Sequence, residues 1–178
     1  ILEALLQLLI RSTNQVALPT FSRLQDNLGE FRKVFYQVTQ LSSLIAFPTF
    51  LGLFVLAPEL IIVLFGDQWR PSIPIAQILC FSGIIQVVSS FKGQILVAMG
   101  KPQWRLWQSL LSIILSLIGF AISFKWGLVA IAVAYTMRRY LVFPIGQWAI
   151  HLLIHTSWRI YLIQFFLPIT ASSIMLIS

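Results

Sequence analysis

Two adjacent arginines, Arg138 and Arg139, interrupt the apolar stretch AIAVAYTMRRYLVFPIGQW, which runs from residue 130 to 148. A guanidinium stays charged at every physiological pH, and its planar set of donors matches phosphate or carboxylate oxygens in a bidentate geometry. The apolar run before the pair, residues 128–137, spans about 15 Å of helix, which is half of a membrane. The pair could therefore bind an anion deep within an apolar segment.

The two arginines are expected to play different roles, because adjacent helical residues point about 100° apart and cannot both face one narrow site. Arg138 is favoured as the residue that lines a cavity, since it shares a stripe of small residues with Gly127, Ala130 and Ala134. We expect Arg139 either to pair with a helix from a part of the same protein that lies outside these 178 residues or to border the cavity near Tyr135. Placing either charge against lipid would cost roughly 2.5–3.5 kcal/mol or more.

A second polar stripe lies in the first apolar segment, ILEALLQLLIRSTNQVALP. Its polar side chains recur every four residues on one face of a helix, with one more beside them: Glu3, Gln7, Arg11, Gln15 and Asn14. Lipid cannot satisfy such a stripe, so it is expected to face water or the interior of a helix bundle. The alternative is an amphipathic helix that lies on the membrane surface.

Weaker polar bands follow in the next two segments: Lys33, Tyr36, Gln37, Gln40 and Ser43, and then Ser82, Gln86, Ser89, Ser90 and Gly93, with Lys92 alongside. Small and polar residues also join membrane helices without binding a ligand. For Lys92, an amine that extends to the nearby interface is favoured over contact with a substrate. The candidate cavity residues are therefore Arg138, Arg11, Gln15, Asn14, Gln7, Arg139, Lys92, Gln86 and Gln40.

The elements that must position these residues are membrane helices. Of the 178 residues, 58% are hydrophobic and 10% are charged, whereas a soluble domain has about 25% charged residues. The fold class predicted is all-α, a polytopic transmembrane bundle of about six helices, at 1–19, 32–57, 72–98, 104–124, 127–153 and 157–177. The second helix is expected to be interrupted by Pro48 and by the sequence APE at 57–59.

The distribution of positive charge predicts the orientation of these helices. The loops at 20–34, 99–106 and 151–159 contain Arg23, Arg32, Lys33, Lys101, Arg105 and Arg159. The loops at 65–72 and 124–127 contain only Arg70 and Lys125. The first group is therefore predicted to be cytoplasmic. Because the sequence opens within a helical pattern and stops within an apolar run, we expect a piece of a longer multi-pass protein.

Several functions are disfavoured by the composition. The net charge of +7 is spread without a basic run longer than two, so nucleic acid is not an expected partner. Cys80 is the single cysteine, which excludes an internal disulfide and a cysteine metal cluster. His151 and His155 have no third ligand near them in the sequence, so no metal and no cofactor are expected. Only Glu3 among the acidic residues lies deep in a helix, and without paired carboxylates we do not expect an enzyme.

Four motifs resemble those of one known family. VALPTFSRLQDN at 16–27 resembles the cytoplasmic Pro-x-x-Ser-Arg-Leu-Gln motif of the Wzx-type polysaccharide flippases, the polysaccharide transporter family of the MOP superfamily. FPTFLGLFVLAPELIIVLFGDQW at 47–69 is similar to that family's next helix and its Phe-Gly-x-x-Trp turn. ILVAMGKPQWRL at 95–106 and WGLVAIAVAYTMRRYLVFP at 126–144 are similar to its Ala-x-Gly-Arg/Lys-Pro turn and its Gly- and Ala-rich helix. That helix carries a mid-helix arginine, which the resemblance supports at Arg138 more clearly than as a pair.

The resemblance implies a larger architecture and a function. Family members have two six-helix lobes around a central cavity and carry undecaprenyl-diphosphate-linked oligosaccharide across the bacterial inner membrane. Residues 1–156 would form most of the second lobe, in five helices of which the first is truncated, and 157–178 would begin a trailing transmembrane segment. The expected partners are the lipid-linked oligosaccharide, the lipid bilayer, the N-terminal lobe of the same protein and the polysaccharide polymerase machinery.

Three other functions stay open at the level of sequence. A multidrug or organic-cation antiporter of the same superfamily would need intramembrane carboxylates, and this chain offers Glu3 against Arg11, Arg138 and Arg139. An O-antigen polymerase or ligase would be expected to have a large polar outer loop, whereas the two predicted outer loops are very short. A non-transporting structural membrane subunit is the third. The balance of charge favours a flippase for polysaccharide or lipopolysaccharide biosynthesis.

Overall fold

The computed structural model describes residues 21–24 and 27–155. Its α-helices, numbered here in chain order, are α1 (Leu28–Phe65), α2 (Ile73–Ser89), α3 (Lys92–Ala98), α4 (Pro102–Ser123) and α5 (Leu128–Ile154). Short 3-10 helices at Asp67–Ser72 and Phe124–Trp126 lead into α2 and α5. These residues contain no strand, which confirms the all-α prediction for the described part of the chain.

Four stretches of the described chain are long and apolar enough to cross a membrane: Leu28–Phe65, Asp67–Ala98, Pro102–Trp126 and Leu128–Ile154. They correspond to the four middle helices predicted from the sequence, and the chain is a multi-pass membrane protein. The predicted helices at 1–19 and 157–177 lie outside the described residues. The count of six therefore stays a prediction.

Helix α1 is continuous, so the interruption predicted at Pro48 and at 57–59 is wrong. It begins where the Asn27 side chain accepts a hydrogen bond from the Glu30 backbone N–H, 3.3 Å away, and runs for 38 residues. A proline within a helix leaves the carbonyl four residues earlier without its partner. For Pro58 that carbonyl belongs to Phe54, and the Gln77 side chain of α2 donates to it at 3.2 Å. A neighbouring helix thus supplies the hydrogen bond that the proline removes.

The predicted single helix at 72–98 is divided in two. Helix α2 ends at Ser89, a turn at residues 90–91 follows, and α3 begins at Lys92. At the break, the Val87 carbonyl accepts hydrogen bonds from both the Ser90 backbone N–H at 3.1 Å and the Ser90 hydroxyl at 2.7 Å. In a membrane, a broken helix of this kind is tolerated where it is covered by protein or lines a cavity.

The helices pack in the order α1, α2, α5, α4. Helix α1 runs antiparallel to α2, and the Phe50 ring lies so close to Gly83 that only a glycine fits there. Helix α2 runs parallel to α5, where the Thr136 hydroxyl donates to the Ile78 carbonyl at 3.4 Å. Helix α4 runs antiparallel to α5 in close contact at Gly119 and Ala134. The stripe of small residues predicted on α5 thus packs against α4.

Two buried clusters hold the bundle together. The first joins the ends of α1, α3 and α5 that were predicted to be cytoplasmic, through Phe21, Phe31, Phe35, Phe91, Ile95, Ala98, Ile150 and Ile154. The second joins the middle of α1 to α2, through Ala46, Phe50, Cys80, Ile84 and Val87. Polar side chains occupy the region between these clusters and α4.

Candidate functional site

A cavity of about 300 Å³ lies between α2, α3, α4 and α5. It is lined by three cationic side chains, several polar ones and a few apolar ones: Lys92, Arg138, Arg139, Gln86, Ser89, Gln108, Ser112, Gly93, Ile85, Val142 and Phe143. No carboxylate is among these lining residues. The described site therefore has a strong excess of positive charge inside the membrane-spanning part of the chain.

Arg138 is held against α4 by serines. Its Nη1 donates to the Ser112 carbonyl at 3.0 Å and to the Ser112 hydroxyl at 2.9 Å, and also to the Ser116 hydroxyl. These acceptors are neutral, so they orient the guanidinium without cancelling its charge. Arg138 therefore presents a full positive charge at a fixed position in the cavity wall.

Arg139 lines the same cavity, beside Tyr135, which is one of the two positions expected from the sequence. Its Nη2 donates to the Tyr135 hydroxyl, and both guanidinium carbons lie 4.8–4.9 Å from the centre of the Tyr135 ring. The expectation that adjacent arginines cannot face one site is wrong here. The 100° rule describes the directions of the Cα–Cβ bonds, whereas long side chains can bend around a shared ring toward one space.

Lys92 is buried in the cavity wall. The prediction that its amine extends to the membrane interface is therefore wrong. The residue is 3% exposed. Its Nζ donates to the Phe143 carbonyl at 3.3 Å and lies 3.5 Å from the centre of the Phe143 ring. The break at residues 90–91 places Lys92 at the start of α3, where its side chain can cross to α5. The sequence pattern did not predict that break.

Several polar atoms around the cavity lack partners. Five buried side-chain atoms in the described part of the chain make no hydrogen bond, and three of them belong to lining residues: Ser89 Oγ, Arg138 Nε and Arg139 Nε. Buried polar groups are normally hydrogen-bonded, and an exception calls for an explanation. Two of these three atoms are N–H donors of the arginines, so the described residues leave part of the hydrogen-bonding capacity of both guanidinium groups unused.

The other residues predicted to line the cavity differ in where the structure places them. Gln86 lines the cavity with the three cations. Gln40 lies half-buried on α1 and is not a lining residue. Arg11, Gln15, Asn14 and Gln7 lie outside the described residues, so their place at the site stays a prediction.

Sequence reasoning missed the polar residues of α4 that complete the site. Gln108, Ser112 and Ser116 are spaced four apart and form one stripe, of which Gln108 and Ser112 line the cavity. Ser112 and Ser116 carry the hydrogen bonds of Arg138. The four-residue spacing is the signal that could have predicted a shared helix face. Serines are also common where membrane helices pack together, so this spacing alone does not indicate a binding site.

The fold and the site define a class: a multi-pass helical membrane protein with a cation-lined cavity between its helices. The family model described as "Polysaccharide biosynthesis protein" matches residues 1–74 of the chain. The chain is 26% identical over 162 residues to the teichuronic acid biosynthesis protein TuaB of Bacillus subtilis (strain 168), an alignment that covers 90% of this chain and 34% of TuaB. It is 27% identical over 162 residues to the lipopolysaccharide biosynthesis protein WzxC of Escherichia coli (strain K12), covering 86% of this chain and 32% of WzxC.

A third relative is an uncharacterized membrane protein in the cps region of Klebsiella pneumoniae, 29% identical over 122 residues, with coverage of 68% of this chain and 25% of that protein. The chain spans about a third of the length of the first two relatives. No solved structure gives a significant match. The resemblance found in the motifs is confirmed at low sequence identity: the chain is similar to polysaccharide biosynthesis proteins that include WzxC.

Proposed function

We propose that the whole protein is a flippase that moves undecaprenyl-diphosphate-linked oligosaccharide across the bacterial inner membrane for polysaccharide or lipopolysaccharide biosynthesis. In this proposal the cavity binds the diphosphate or an anionic sugar during transport. Residues 1–156 form most of a second lobe and 157–178 begin a trailing segment. The transported lipid-linked oligosaccharide, the bilayer and an N-terminal lobe are the partners, and polymerase machinery acts downstream on the sugar.

The observation that carries the proposal is the cavity with three cations and no carboxylate among its lining residues. A diphosphate offers several negative oxygen atoms, and Arg138 and Arg139 are suited to bidentate hydrogen bonds with them. Lys92 adds a third basic side chain, which starts on α3 and reaches α5 at the Phe143 carbonyl. Intramembrane charges are costly, so three of them around one space support a role in carrying an anion.

The charge of the cavity and two further observations weigh against the rival functions. An organic-cation antiporter would need negative charge where the described cavity has only positive charge. A polymerase or ligase would need an acceptor-binding outer loop, and the described loops on the predicted outer side are short helical turns at Asp67–Ser72 and Phe124–Trp126. A purely structural subunit gives no reason for donors without partners in a cavity. A non-enzymatic transport function therefore fits best.

Replacement of Arg138 tests the proposal. In the full-length protein, Arg138→Ala should abolish complementation of a flippase-deficient strain, because the cavity loses the cation that α4 holds in place. Arg138→Lys should retain part of the activity, because the charge remains while the bidentate fork is lost. Export of surface polysaccharide is the measurement, and immunoblots of membrane fractions must show wild-type amounts of each variant.

Lys125→Ala is the matched control, since it removes one positive charge from an exposed turn that does not line the cavity. It should complement like the wild type. If Arg138→Ala and Arg139→Ala both complement as fully as Lys125→Ala, the proposed role of the cavity is wrong. If Arg138→Ala is silent and Arg139→Ala is not, the anion is bound chiefly by Arg139.

A further inference from the structure

A second space, of about 540 Å³, lies between the first half of α4 and the second half of α5. Three tryptophans, Trp104, Trp107 and Trp148, line it together with Gln103 and Gln108. No charged residue is among its lining residues. We call this space the tryptophan groove. Its size falls within the range typical of small-ligand sites, which are mostly apolar with a few polar groups that fix orientation.

The tryptophan groove adjoins the cation-lined cavity at a shared lining residue. Gln108 lines both spaces, and its amide packs against α5 at Gly146, where a larger residue would displace it. A ligand could therefore place one part in the cavity and the adjoining part in the groove, with the Gln108 amide between them. The cavity takes the charged part of such a ligand, and the groove takes a neutral part.

The residue types in the groove select the chemistry of that neutral part. An indole ring presents a flat face with negative charge density, which attracts the slightly positive C–H groups of a flat-sided ligand. The indole N–H donates, and glutamine amides both donate and accept, which suits hydroxyl groups. A pyranose ring has an apolar face of C–H groups and a rim of hydroxyls. An acyl chain would use the rings but would leave the amides without a function.

We infer that the tryptophan groove is a saccharide subsite, which holds the sugar nearest to the diphosphate while the diphosphate occupies the cation-lined cavity. This inference rests on the proposed flippase function and adds the residues that contact the sugar. Trp107 and Trp148 stack on the pyranose ring, and Gln108 bonds its hydroxyls where sugar and diphosphate meet.

Two probes separate the subsite from the cavity: undecaprenyl diphosphate, and undecaprenyl diphosphate carrying one N-acetylglucosamine. Their affinities are measured for the full-length protein in lipid nanodiscs by fluorescence titration. The wild type should bind the sugar-bearing probe roughly 10-fold more tightly. Trp107→Leu and Trp148→Leu should each lose roughly 3- to 10-fold of affinity for that probe alone, the scale of one aromatic contact. Trp107→Phe, which keeps a ring, should retain most of the gain.

Trp126→Leu is the matched control. Trp126 is 72% exposed and Trp107 is 73% exposed, but Trp126 lies in the turn before α5, at the other end of the helices. It should keep the full preference for the sugar-bearing probe. If Trp126→Leu reduces the preference as much as Trp107→Leu, the tryptophans act only as membrane-interface anchors and the inference is wrong. A wild-type preference below 3-fold, or unchanged preference in both groove variants, would also overturn it.

The proposed function fails in a distinguishable way. Arg138→Ala should weaken the binding of both probes equally, because both carry the diphosphate. If Arg138→Ala binds both probes like the wild type while the tryptophan variants lose the preference for sugar, the cavity assignment is wrong and the groove assignment stands. If the wild type binds neither probe, both are wrong.

Discussion

The molecule contains two interhelical spaces of similar size with opposite chemistry. The space between α1 and α2 has about 350 Å³ and is lined by Leu, Ile and Ala side chains with Phe65, Trp69, Ser72 and Cys80. The space at the junction of α2, α3, α4 and α5 has about 300 Å³ and is lined by Lys92, Arg138 and Arg139. Both spaces are bounded in part by α2, so one helix separates an uncharged region from a highly charged one.

This difference shows how the bundle divides its tasks. The α1–α2 pair is joined by close contact of apolar groups, such as the Phe50 ring over Gly83, and by one polar contact, from the Gln77 side chain to the Phe54 carbonyl that Pro58 leaves without a backbone donor. The α4–α5 pair is joined by hydrogen bonds from Arg138 to serines. Apolar packing is sensitive to shape, whereas the polar contact between α4 and α5 borders the cavity in which we propose that the anion binds. We therefore expect mutations in the first region to affect stability and mutations in the second to affect function.

The largest expected effect on stability comes from placing a charge in the apolar space, compared with removing a charge from the polar one. Leu79→Arg would place a charge in the α1–α2 space, which offers no carboxylate among its lining residues. It should lower the free energy of unfolding by roughly 2.5–3.5 kcal/mol. Arg138→Leu should lower it by less, roughly 0.5–1.5 kcal/mol, because it removes hydrogen bonds to neutral groups of α4 while the nearby Arg139 loses a like-charged neighbour.

Thermal unfolding of the purified variants in detergent measures both changes. Leu79→Met keeps the volume and should stay within about 1.5 kcal/mol of the wild type. A stable Leu79→Arg protein would show that the α1–α2 space tolerates charge, and the contrast between the two spaces would then have no energetic basis.

A smaller effect on stability is expected where a methyl group is added to the apolar seam, the contact between α1 and α2. A Cβ atom at Gly83 would lie 2.7 Å from Cδ1 of Phe50, a fully buried ring. Gly83→Ala must therefore shift a rigid group in a packed core, and should destabilise the protein by roughly 1–3 kcal/mol. Chemical or thermal unfolding measures the loss. Adding Phe50→Leu should recover part of it by making room, and additive losses in the double variant would contradict this explanation.

The smallest effect on stability is expected when a glycine is replaced by alanine in the polar seam, the contact between α4 and α5. A Cβ atom at Gly146 would overlap the amide of Gln108, which is the far end of a flexible side chain. Gly146→Ala should therefore cost less than about 1 kcal/mol, while the displaced amide reduces the preference for the sugar-bearing probe. Gly119→Ala is the control, because its Cβ would lie at an ordinary 3.6 Å from Ala134. A loss at Gly146 as large as that at Gly83 would remove the distinction between the two seams.

Much of the fold follows from local pattern. The four described spans coincide with predicted apolar segments to within a few residues at most of their ends, because length and hydropathy decide which helices a membrane can hold. The exceptions are α1, which continues to Phe65 through two prolines, and the break before Lys92. Both depend on neighbours: Gln77 satisfies the carbonyl that Pro58 frees, and the cavity lies beside the broken helix.

The sequence alone determined that this protein is an all-α membrane protein, that it has an excess of positive charge, and that Arg138 lies deep in a span, since those properties depend on composition and spacing along one helix. Only the tertiary structure decided that Lys92 joins both arginines at one cavity, that Gln40 does not, and that serines of α4 orient Arg138. Helical periodicity reports the direction of a Cβ atom. Where a long side chain ends depends on the helix that packs against it, and no pattern within a single helix contains that information.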